Sequence, residues 1–164
     1  MGAPILTLRD PITLQEIPLT LAASGGFNPG IVRAGGQSEE KRILVCNNFD
    51  GVDGVTDAHD LTVTTYDDLS FNEVKPPVVG KWLNVRCQSL GDAEFTAVGG
   101  VSNDHIIGAA GTPGVLSGVK PAGASMELTD TANYADISLR LNVPADCIDF
   151  GDHVMQTVFV YTHV

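Results

Sequence analysis

No feature limits the fold of this chain more sharply than the stretch from Tyr134 to Val143. There Ala135, Ile137, Leu139, Leu141 and Val143 alternate with Asp136, Ser138, Arg140 and Asn142. Successive side chains of a strand point to opposite faces, so this period of two predicts a strand with an apolar face to a core and a polar face to water. Pro144 ends it. Strands wet on one side belong to antiparallel sheets, because parallel strands are covered on both faces and read as unbroken apolar runs.

The same pattern recurs along the chain. Arg42 to Asn47 is an apolar, β-branched run closed by Asn47-Asn48. Leu61 to Tyr66 places Leu61, Val63 and Thr65 inward, Lys81 to Cys87 places Leu83, Val85 and Cys87 on one face, and Phe95 to Val98 is a short strand stopped by Gly99-Gly100. The last strand is Val154 to Val164. Pro76-Pro77 bars a central strand at that point, and no helical period longer than about two turns is present. Residues 108–125, rich in glycine, alanine and proline, read as a long loop without structure of its own. Eighteen glycines and nine prolines in 164 residues supply the turns. Seven or eight short strands in an all-β, antiparallel sandwich follow, preceded by an arm over residues 1–24 that Pro4, Pro11 and Pro18 keep from being a central strand. The sandwich domain takes residues 25–164.

Charge narrows the partners. Nine Lys and Arg stand against twenty Asp and Glu, a formal net of −11, and Lys41-Arg42 is the densest basic group. Binding to DNA or RNA needs clustered cations to displace counterions from phosphates, so nucleic acid and anionic membrane are poor partners. The amino-terminal residues lack the charged and unbroken apolar regions of a signal peptide, and no run reaches the roughly 18 apolar residues of a membrane span. The expectation is folding in a cytosol, or a leader removed beforehand. Cys46, Cys87 and Cys147 lie in or beside strands without CxxC spacing, which favours buried thiols over a disulfide.

Two segments resemble a known family when taken together. One runs from Gly35-Gly36-Gln37-Ser38 through Lys41 to Asn48; the other runs from Ile137 through Leu141-Asn142-Val143-Pro144 and Gly151-Asp152-His153 into the last strand. They resemble bacterial and archaeal immunoglobulin-like modules, as found among small decoration or tail proteins of tailed bacteriophage virions. The resemblance implies an immunoglobulin-like β-sandwich, assembly in a host cytoplasm, and contacts with other virion proteins or with further copies of the chain.

Chemistry-bearing motifs are sparse. His59, His105, His153 and His163 show no HxH or HExxH spacing, and there is no GxSxG elbow or Walker loop, so the chain reads as non-enzymatic and without a required cofactor. The acidic loop from Asn48 to Asp60 offers Asp50, Asp53 and Asp57 as oxygen ligands for calcium, without EF-hand spacing. A solvated loop, in which Asp and Gly serve turns, is the favoured alternative. Trp82 falls on the face opposite Leu83 and Val85, where it reads either as a core tryptophan or as an exposed platform for a sugar ring. Phe159 and Tyr161 alternate with Val158 and Val160, so the last strand is apolar on both sides and something covers it. Ile5, Leu8 and Leu19 of the arm, with Phe159 and Tyr161, are the expected contact residues of an assembling subunit. The competing reading is a secreted carbohydrate-binding or adhesion module, with Trp82 stacking on a sugar and calcium ordering the acidic loop.

Overall fold

A computed structural model describes residues 2–18, 31–148, 153 and 155–163. Leu19 therefore lies outside the described residues. The chain is all-β with antiparallel sheets. In order, its elements are β1 (Leu6–Arg9), β2 (Glu16–Ile17), β3 (Lys41–Asn47), β4 (His59–Tyr66), the helical turn α1 (Pro76–Val79), β5 (Leu83–Cys87), β6 (Thr96–Val98), β7 (His105–Ile106), β8 (Gly108–Ala109), β9 (Thr112–Pro113), β10 (Tyr134–Leu141) and β11 (Gln156–Thr162).

Six strands form one sheet in the order β2-β1-β3-β10-β5-β6, and three form another in the order β11-β4-β7. β10 lies between β3 and β5, with Ile137 opposite both Ile43 and Cys87. Its apolar row meets the apolar rows of its neighbours for that reason. Ile43, Val45, Leu83, Val85, Cys87, Ala135, Ile137 and Leu139 from the larger sheet share one core with Leu61 and Val63 of β4. Burial of these rows is the main favourable contribution, roughly 1.5–3 kcal/mol for each fully buried aliphatic side chain.

The arm is part of this architecture. β1 is paired on both sides, with β2 and with β3, and its prolines lie outside the paired residues. Leu8, half-buried, packs against the main core, as do Leu6 and Ile17. Ile5 remains exposed. The proline pair behaves as its chemistry demands: Pro76 and Pro77 occupy the first turn of α1, where a missing N–H is no loss. Asp67 tightens the approach, accepting hydrogen bonds from the backbone N–H of Val74 at 2.7 Å and of Lys75 at 3.0 Å.

Residues 108–125 depart from expectation. They begin with the β8–β9 hairpin, and Leu116 is fully buried while exchanging backbone hydrogen bonds with Ala58 in both directions at 3.0 Å. Leu116, with the buried Ala109, fastens this small-residue stretch to the core. The outer face of β10 also differs from the wet face its pattern suggests, since Ser138 and Asp136 are buried. A second small cluster of Leu44, Cys46, Phe49 and Met126, flanked by Leu14 and Tyr134, covers one end of that face. Arg9 lies over the Phe49 ring at 3.8 Å and closes it.

Candidate functional site

The acidic loop leaves β3 at Asn47 and turns at once, with Asn48 in the left-handed region at φ 56°. Asparagine tolerates that conformation because its short amide can bond to nearby backbone. Asn48 does so: its Oδ1 accepts from the N–H of Val52 at 2.7 Å, and its Nδ2 donates to the carbonyls of Val52 at 3.0 Å and Gly118 at 2.7 Å. Asn47 ties three further segments together. Its Oδ1 accepts from Ile5 N–H at 2.9 Å, and its Nδ2 donates to Thr56 at 3.0 Å and Leu116 at 3.2 Å. From the start of β10 side, Asn133 Nδ2 donates to the carbonyls of Val119 at 2.8 Å and Ser117 at 3.0 Å, and more weakly to Asn47 at 3.4 Å. These three amides are buried and replace the water that loop backbone would otherwise need.

The carboxylates in this loop act separately. Asp57 accepts from Gly118 N–H at 2.7 Å, Asp53 pairs with Lys120 at 3.2 Å, and Asp50 is exposed. Among the described residues no three His, Cys, Asp or Glu side chains stand together where they could hold a metal ion. Asp50, Asp53 and Asp57 are not brought together, and the loop is held by the buried amides, as the solvated-loop alternative allows. Gly118 is required at its position, since a Cβ there would lie 2.4 Å from the Thr56 carbonyl oxygen. Asp57→Ala is expected to destabilise the fold by about 1–2 kcal/mol, by an equal amount with and without calcium, in urea titrations. A deficit that appears only in calcium would restore the metal.

Trp82 has the phase its neighbours suggest but not the exposure of a sugar platform. The residue is 6% exposed and its ring meets the His153 ring edge-on, with centroids 5.3 Å apart. A Cβ on Gly80, directly after α1, would fall 2.7 Å from its Nε1. The turn closes over the ring, so Trp82 is packed and unavailable for stacking on a ligand.

β11 is the other half of the site. Among the described residues it pairs with β4 alone and forms the edge of its sheet. Phe159 stands opposite Val63 and, partly buried, packs against the main core. Tyr161 is exposed, beside a shift in register between Val160 and Thr162. On the outer face, Ile106, Thr62 and Val160 form one row across all three strands, with Ile106 and Val160 about half exposed. No residue of β11 carries a charge, and valine, threonine, phenylalanine and tyrosine are strong β-formers. The row Ile106–Thr62–Val160 was not foreseen, because the two-residue strand β7 has no legible period.

No protein-family model, no curated protein and no solved structure matches this chain.

Proposed function

We propose that the chain is a non-enzymatic virion structural protein, a capsid decoration or tail component, built as an immunoglobulin-like β-sandwich. It acts through contacts with other copies of itself or with other virion proteins, after folding in the host cytoplasm. The observation that supports assembly most directly is β11, a seven-residue uncharged edge strand beside a half-exposed apolar row. Edge strands present unpaired N–H and C=O groups, and monomeric proteins blunt them with charges, prolines or very short lengths. The opposite sheet follows that practice: its edges are β2, two residues long and followed by Pro18, and β6, three residues long. β11 does not. In a molecule of net charge −11, a stretch without charge is where a neighbour can approach at least electrostatic cost.

The secreted carbohydrate-binding or adhesion reading loses the two devices it needs. Its platform is Trp82, which is buried, and its calcium loop is Asp50, Asp53 and Asp57, which do not converge. Light scattering coupled to size exclusion is expected to show an oligomer at low micromolar concentration. Val160→Lys, on an exposed position, is expected to convert it to a folded monomer with an unchanged circular dichroism spectrum. A wild-type monomer under those conditions would sink the proposal. The virion assignment itself is tested by the protein's presence in purified particles.

A further inference from the structure

The outer face of the six-stranded sheet carries Arg9, Arg42, Arg86 and Arg140, a concentration of cations at odds with the acidity of the chain. Three of them have carboxylate partners: Arg9 pairs with Glu16 at 3.5 Å, Arg42 with Asp136, and Arg86 with Glu40 at 2.9 Å. Arg140 does not. Among the described residues its guanidinium has no hydrogen bond or ion pair, and its Nε is buried without a partner. It is nevertheless held in place, lying over the Phe95 ring at 3.9 Å, with Arg86 over the same ring at 4.7 Å.

The group that would otherwise neutralise Arg140 is already engaged. Glu40 pairs with Arg86, and the nearby Ser138 hydroxyl, with the Arg86 and Arg140 charges, holds its carboxyl below the usual range against the opposing effect of burial. Around Phe95 two guanidinium groups therefore face one carboxylate, while the adjacent Arg42 and Asp136 cancel each other. An arginine immobilised on an aromatic ring has already lost much of the rotamer freedom that binding would cost, and its planar fork matches a carboxylate.

We propose that Arg140, held on Phe95 beside the Arg86–Glu40 pair, is a binding site for a carboxylate group. The carboxylate comes either from a small carboxylic acid or from an Asp or Glu side chain of a second copy. The site is distinct from β11, and its failure leaves edge pairing untouched.

The test uses the full chain and sodium malonate, with sodium chloride at equal ionic strength as control. The Nε–H signal of Arg140, identified by its loss in Arg140→Lys, is followed by nitrogen–proton correlation spectroscopy. A shift that saturates in millimolar malonate and not in chloride is the expected result. Phe95→Leu is expected to weaken that binding about threefold, with the fold checked by circular dichroism. If the same signal moves equally in chloride, or moves linearly without saturating, Arg140 is an ordinary solvated arginine and the proposal fails. A dilution series without malonate separates the sources: a shift with protein concentration assigns the carboxylate to a second copy, and a constant signal assigns it to a small acid.

Discussion

Replacing Asn133 with leucine is expected to lower the unfolding free energy by about 3 kcal/mol or more, although the two side chains are close in size. The Asn133 amide supplies the carbonyls of Ser117, Val119 and Asn47, and it is itself buried. Leucine would fill the space and donate nothing. The part-buried Ser117 and Val119 carbonyls would lose their donor, and the leucine would leave the buried Asn47 carbonyl without its long contact, each loss costing up to about 1–3 kcal/mol less what water recovers. The effect should spread, because Asn47 anchors Ile5, Thr56 and Leu116 from the same place. Removing Asn47 and Asn133 together is expected to cost less than the sum of the single losses, since both serve one network. Urea unfolding followed by the fluorescence of Trp82, the sole tryptophan, provides the readout. A loss below about 1 kcal/mol for Asn133→Leu would show that the loops are held by something else.

Alkaline pH is expected to destabilise the protein through Cys46. Burial pushes this thiol up from its ordinary 9.0 to about 12, because no solvent is at hand to stabilise a thiolate among Leu44, Phe49 and Met126. Below pH 9 the thiol is protonated in both folded and unfolded chains and contributes no pH dependence. Between 9 and about 12 the unfolded chain releases its proton while the native state retains it, so stability falls as pH rises. The slope is about 1.4 kcal/mol per pH unit. Tyr66 and Tyr134, both raised chiefly by burial, act in the same direction above their ordinary 10.0. In Cys46→Ala the unfolding free energy should start lower, because a small cavity remains, and should decline less steeply from pH 9 to 10, before the tyrosines contribute. Identical slopes in the two proteins over that interval would remove Cys46 from the account.

Where an apolar period of two was unbroken, the fold was legible. Arg42 to Asn47, Leu61 to Tyr66 and Tyr134 to Val143 all lie where the structure has β3, β4 and β10, and Leu61, Val63 and Thr65 are fully buried as their phase requires. Legibility failed where a side chain's neighbours come from distant sequence. Trp82 has the outer phase that alternation assigns it, yet its surroundings are set by the turn at Gly80 and by His153. Phe159 reads as a contact residue because the last strand is apolar on both sides; that its inner side rests on the core beside Val63 is set by pairing with a strand nearly a hundred residues earlier. Asn47 and Asn48 read as strand punctuation and Asn133 carries no motif; nothing local signals that carbonyls from residues 52–56 and 116–119 converge on them.

Alternation, prolines and glycines by themselves determined that this chain forms antiparallel strands with these inward rows, because strand geometry ties facing direction to residue number. Composition makes the molecule strongly acidic, with twenty Asp and Glu against nine Lys and Arg. Only the tertiary structure decided which outward rows are covered, and so turned Ser138, Asp136 and Trp82 into buried residues. It likewise left Arg140 as the arginine without a carboxylate on its face, and β11 as an uncharged edge. Burial and charge pairing depend on what packs against a residue, and that is set by the register between strands far apart in sequence.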